Sequence, residues 1–142
     1  MGLLRFFRLS SDDRWLLLRA LATVSKAWVA VRVLPASAVM RKISADIAPS
    51  ARSEPQTINR VVWAIAVAAR YIPGSKCLVQ ALAGRELLAG YGFSSTIHLG
   101  VAKDSRNWLN AHAWVESGGR TIIGGDTSTY APLIGARQEY RP

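Results

Sequence analysis

The chain has one cysteine, two histidines and nine carboxylates with which to do covalent chemistry. Cys77 stands at the start of "CLVQALAGRELLAGYG", a stretch with the composition of a helix. Free N–H groups and the helix dipole stabilise a thiolate at such a terminus, and Lys76 adds a neighbouring positive charge. A nucleophilic thiol also needs a base within hydrogen-bond reach and a third group to orient that base. His112, in "NAHAWVE", is the candidate base, and Asp126, one hairpin further along, is the candidate orienter. Cys77, His112 and Asp126 therefore form the expected Cys-His-Asp triad, with the carboxylate fixing the imidazole tautomer.

Other residues compete for these roles. His98 lies on the polar side of its strand beside Thr96 and Gly100, as an alternative base or a supporting histidine. Glu116 shares a strand face with His112, but residues four apart on a strand sit roughly 13 Å apart along it, and Asp126 is preferred. Trp114 reads as a core aromatic, with shielding of the triad from water as the sharper alternative. One Cys and two His at these separations match no common zinc spacing, so no metal and no cofactor is expected.

The elements that must position these groups follow from periodicity. "SSDDRWLLLRALATVSKAWVAVRVLP" opens on capping residues and stops at Pro35, as a long helix does. Asp12, Arg19, Thr23 and Lys26 form one polar stripe on an otherwise apolar cylinder, which needs a large apolar partner. "ASAVMRKISADIA" suggests a shorter helix, and "PSARSEPQ" a turn-rich linker. "TINRVVWAIAVAARYIP" reads as a helix capped by Thr57 and stopped by Pro73, and the next helix has Ser75 as its candidate cap. In "STIHLGVA" the period changes to two, the mark of a half-buried strand; "NAHAWVE" and "RTIIGG" supply two more, joined by the turns "DSRN" and "SGGR". Helices first and an antiparallel sheet second is the α+β layout.

Composition narrows the class further. Half of the 142 residues are apolar and 19% are charged, which describes one globular domain and not a disordered tail. Net charge is +9, and residues 1–76 hold 12 Lys/Arg against 4 Asp/Glu. A basic half of this kind attracts acidic peptide, nucleic acid or an anionic membrane surface. No nucleic-acid recognition motif accompanies it, so nucleic acid is not an expected partner. A lone cysteine makes no intramolecular disulfide, and Arg19, Lys26 and Arg32 interrupt the apolar run from Trp15 to Leu34. Each such charge at mid-bilayer costs roughly 2.5–3.5 kcal/mol, which argues against a span. The expected location is the cytoplasm, with a peripheral place on the inner membrane left open.

"SKCLVQALAGRELLAGYG", "STIHLGVAKD" and "AHAWVE" followed by "GGRTIIGGD" resemble the transglutaminase-like core of bacterial lasso-peptide maturation proteases, from about Ser75 to Asp126. The resemblance implies a transglutaminase-like (papain-like) core at 55–142 with an N-terminal helical region at 1–54, forming one compact unit. It also implies a cysteine peptidase that removes the leader from a ribosomally made precursor peptide, with Cys77, His112 and Asp126 as the catalytic residues. Its expected partners are the leader region of that precursor, a small leader-recognition protein and the ATP-dependent macrolactam synthetase that closes the ring on the freed core. A transamidase of the same fold and a non-catalytic peptide-binding module remain the alternatives.

Overall fold

The computed structural model describes residues 2–44 and 54–134. Five helices precede a sheet: α1 (Leu3–Arg8), α2 (Ser11–Val33), α3 (Ala36–Ser44), α4 (Pro55–Tyr71) and α5 (Cys77–Gly90). Four strands follow, β1 (Thr96–Lys103), β2 (Leu109–Ser117), β3 (Arg120–Ile123) and β4 (Ala131–Ile134). The architecture is α+β, as the change of period from helical to alternating indicates.

Local chemistry sets most of these boundaries. Ser10 caps α2, its hydroxyl accepting from the Asp13 N–H at 3.2 Å, and the helix ends two residues before Pro35. α4 starts at Pro55 and not at a Thr57 cap, because proline at the first helical position loses no hydrogen bond and already has helical φ. Thr57 instead donates to the Glu54 carboxylate at 3.2 Å, one turn back. α1 is a helix that no capping residue announces, since Gly2 precedes it without a side-chain bond. Much of the expected "PSARSEPQ" linker falls at 49–53, outside the described residues.

The sheet has the order β3-β2-β1-β4 and every adjacent pair is antiparallel. Asp104 shapes the β1–β2 turn by accepting from the N–H groups of Arg106 and Trp108, and Gly118 and Gly119 turn β2 into β3. β4 adds a strand beyond the three that alternation predicts. It is four residues long and includes Pro132, so it has neither the length nor the pattern of a strand, and it sits at the sheet edge where proline is tolerated.

α5 is the centre of the molecule. α2 and α4 pack on one side of it and the sheet on the other, so its buried positions run nearly around the cylinder, from Val79 and Ala81 through Ala83 and Gly84 to Leu87 and Leu88. Ala113, Val115 and Ile123 line the sheet side of this core. α2 contributes Leu16, Leu17, Ala20, Val24 and Ala27, and the bidentate contact of Arg60 with Asp13 Oδ1, at 2.6 and 3.1 Å, ties it to α4. That guanidinium holds the Asp13 carboxyl below the ordinary carboxylate range. The apolar partner expected for α2 is thus α4 plus α5, but it covers one face only. Trp15, Leu18, Val29 and Val33 remain exposed.

α5 meets the sheet at Gly84, where a Cβ would collide with the Ile123 Cδ1 methyl. Gly84→Ala therefore sets a helix-propensity gain of about 1 kcal/mol against an overpacking cost of roughly 1–3 kcal/mol, and we expect net destabilisation. Adding Ile123→Val removes that methyl, so the double variant should be more stable than the sum of the single effects, as read from a denaturation cycle. Strict additivity would show that the two sites do not touch in solution.

Candidate active site

Cys77 is the first residue of α5, half-buried and packed against the core. The loop before it is held by α2: Trp28 Nε1 donates to the Pro73 carbonyl at 2.9 Å, and the Arg32 guanidinium lies 3.8 Å from the centre of the Trp28 ring. Gly74 passes so near this pair that a Cβ would stand 2.7 Å from Arg32 Nη2. The Gln80 side-chain amide then donates to the Ser75 carbonyl at 2.9 Å, joining the loop to the first turn of the helix. Lys76 is the N-cap, and no side chain caps the helix. Ser75, the cap expected from the sequence, turns its hydroxyl inward, where it is buried without a hydrogen-bond partner among the described residues. The N–H groups of the first turn, beginning with that of Cys77, therefore have no intrahelical acceptor and point out of the helix end.

His112 lies on β2, opposite Gly100 of β1. Its ring belongs to an aromatic row on one sheet face. His98 and Trp114 stack almost parallel, 5.6 Å apart at 7°, Trp114 and His112 stack at 6.1 Å and 23°, and Tyr130 covers His112 at 4.9 Å. The Trp114 indole occupies the space over Gly100, where a Cβ would meet its ring carbons at 2.7 Å. Trp114 is thus both a core residue, 3% exposed, and the wall beside the candidate base.

One hydrogen bond defines the state of that base. His112 Nε2 lies 2.7 Å from the Gly124 carbonyl oxygen. A carbonyl only accepts, so Nε2 must carry the proton, and in the neutral ring Nδ1 then bears the lone pair. Gly124 has φ +115°, and a Cβ would meet Trp114 Cβ at 2.5 Å and Trp114 Cα at 3.0 Å. Only glycine brings its carbonyl to the imidazole along this path.

Asp126, two residues further, faces elsewhere. Its Oδ1 accepts from the Ser128 N–H at 2.9 Å, a bond that holds the carboxyl below its ordinary value. This turn, continued by the Tyr130 N–H donating to the Thr127 carbonyl at 3.1 Å, leads to the ring that covers His112. Glu116 is 3.2 Å from His98 Nε2 and accepts weakly from Trp114 Nε1 at 3.4 Å. His98, buried in this pair, stands at the far end of the row from Tyr130. Among the described residues neither Cys77 nor Asp126 is hydrogen-bonded to His112; the Gly124 carbonyl is its one such partner. Gly124, Tyr130 and Trp28 are the site residues that sequence reasoning missed. The paired glycines before Asp126 were the available signal for the first, and nothing in spacing marks the other two.

A family model described as the transglutaminase-like superfamily matches residues 18–135, from within α2 to the end of the described sheet. No curated protein and no solved structure matches the chain significantly.

Gly124→Ala should be costly in two ways. Alanine at this φ against the Trp114 backbone is expected to destabilise the fold by more than about 1 kcal/mol. The carbonyl should also leave Nε2, visible as a change in the His112 ring-nitrogen shifts in 15N NMR. An unchanged His112 tautomer in a folded Gly124→Ala protein would remove the carbonyl as its determinant.

Proposed function

We propose that this chain, which belongs to the transglutaminase-like superfamily, is a cysteine peptidase that cuts the leader from a ribosomally made lasso-peptide precursor. Family membership supports thiol-dependent acyl chemistry at the coarse level. The substrate follows from the resemblance of the Cys77, His112 and Asp126 segments to the lasso-peptide maturation proteases. The observation that carries the catalytic reading is the 2.7 Å bond from His112 Nε2 to the Gly124 carbonyl, which leaves Nδ1 as the basic nitrogen.

In this mechanism His112 Nδ1 takes the Cys77 proton, and the thiolate attacks the carbonyl at the leader–core junction. The oxyanion of the tetrahedral intermediate is met by the free N–H of Cys77. The imidazolium returns its proton to the leaving amine, which departs as the N-terminus of the core peptide. Water, deprotonated by His112, then attacks the thioester, and the leader leaves with a free carboxylate. Asp126 is the third member in this reading: its carboxylate, kept ionised by Ser128, favours the imidazolium and orders the turn that carries Tyr130. The leader-recognition protein and the macrolactam synthetase are proposed partners, the first delivering the leader and the second consuming the freed amine.

Mass spectrometry of a lasso-peptide precursor incubated with the protein and its leader-binding partner tests the reading. A single cut is expected, with the leader ending in a carboxylate. Cys77→Ala and His112→Ala should each lower the rate by at least about a thousand-fold. Asp126→Asn should cost less than either, because the Gly124 carbonyl still directs the ring. A leader ending in an amide to an added amine would indicate a transamidase instead. Bound but uncut peptide would indicate a binding module.

A further inference from the structure

The apolar face that α2 turns away from the core has a regular layout. Trp15, Leu18, Ala22, Val29 and Val33 recur at spacings of three, four, seven and four, so they form one arc along a helix of 23 residues, about 35 Å long. All five are exposed, Trp15 by 62% and Val33 by 73%. At 100° per residue the arc is flanked on one side by Arg14 and Arg32 and on the other by Arg19 and Lys26. Asp12 is the acidic residue on this rim, while Asp13 and Glu86 are occupied by Arg60 and Lys26. α1 repeats the arrangement on a smaller scale. Phe6 packs against the core, whereas Leu3, Leu4 and Phe7 are exposed beside Arg5 and Arg8, with no acidic residue in the helix.

We infer that α1 and the outer face of α2 seat the protein on an anionic lipid bilayer. An apolar strip with an interfacial tryptophan, flanked by Arg14 and Arg32 on one side, by Arg19 on the other and by Arg5 and Arg8 of α1, is the pattern of a helix lying in the headgroup region. Charge selects this occupant. A second copy of the chain would bring one arginine rim against another, at a net charge of +9 on each molecule. An anionic surface neutralises these arginines and accepts the exposed leucines and Phe7 without a shaped groove. No helix among the described residues is long and apolar enough to cross a membrane, so the contact is with one leaflet.

Co-sedimentation with vesicles tests this without any substrate, so its outcome is independent of the peptidase reading. The probes are pure phosphatidylcholine vesicles and vesicles with about 30% phosphatidylglycerol. The wild-type protein should partition at least about ten-fold more strongly onto the anionic vesicles, with the excess lost in high salt. Two variants should stay in the supernatant with unchanged circular dichroism: Leu18→Glu/Val29→Glu, which charges the strip, and Arg5→Glu/Arg8→Glu/Arg14→Glu, which reverses rim charges that have no acidic partner among the described residues. Equal binding to both vesicle types, no binding to either, or binding that survives both variants would overturn the inference. So would a dimer in light scattering that Leu18→Glu/Val29→Glu dissociates, since that assigns the strip to a second copy.

Discussion

The Trp114 indole must lie flat on the sheet, and the rest of the site is arranged around that requirement. A side chain of this size contributes several kcal/mol when buried, so the fold has good reason to accommodate it. Doing so demands bare backbone in two places. Gly100 leaves the neighbouring strand open beneath the ring, and Gly124 lets the chain leaving β3 pass against the Trp114 backbone. With the ring in place, the histidines on either side have a parallel surface to stack on, and the passing chain presents a carbonyl to one of them. The orientation of His112 is therefore a by-product of packing an aromatic core residue. That makes it rigid, because the side chain, its backbone partner and its stacking surface are fixed by the same contact.

Cys77, the proposed nucleophile, is positioned from the opposite direction. α5 receives the sheet at Gly84, while its first residue is aimed by a loop that α2 grips through Trp28 and Arg32. One element thus meets both neighbours: α2 grips the loop before Cys77, and Ile123, the last residue of β3 before Gly124, lies against Gly84. The stretch before α5 makes few backbone bonds of its own, so its geometry depends on these side-chain contacts. This connects the N-terminal helices to the placement of Cys77.

Much of this was legible in the sequence, and the reasons for the rest are physical. Strands β1 and β2 alternate because one face meets α5, and α2 carries its cap and its stop in plain view. β4 escapes because four residues paired through their backbones need no pattern. Ser75 and Lys76 show how propensity misleads: serine is the better cap, but the loop held by Trp28 turns Ser75 inward and leaves Lys76 in the capping position. Candidate side chains were found by type, since Cys77, His112 and Asp126 have few rivals. A backbone carbonyl has no type to recognise, so the partner of His112 could not be read from residue identities. Only a positive φ forced on Gly124 by its neighbours reveals it.

In the proposed mechanism this substitution of a carbonyl for a carboxylate separates two tasks that one aspartate is usually asked to perform. Direction comes from a neutral acceptor at 2.7 Å, which fixes which nitrogen carries the proton but gains less than a charged partner would when the ring becomes imidazolium. Charge must then come from elsewhere, and in that reading it comes from the exposed Asp126 carboxylate, two residues beyond Gly124 and kept ionised by Ser128. A base directed by a neutral acceptor is matched to a thiol better than to a hydroxyl, because a thiol surrenders its proton far more readily and asks less of its partner. In the proposed mechanism, a His112 directed by a carbonyl therefore goes with a cysteine at the start of α5 rather than with a serine.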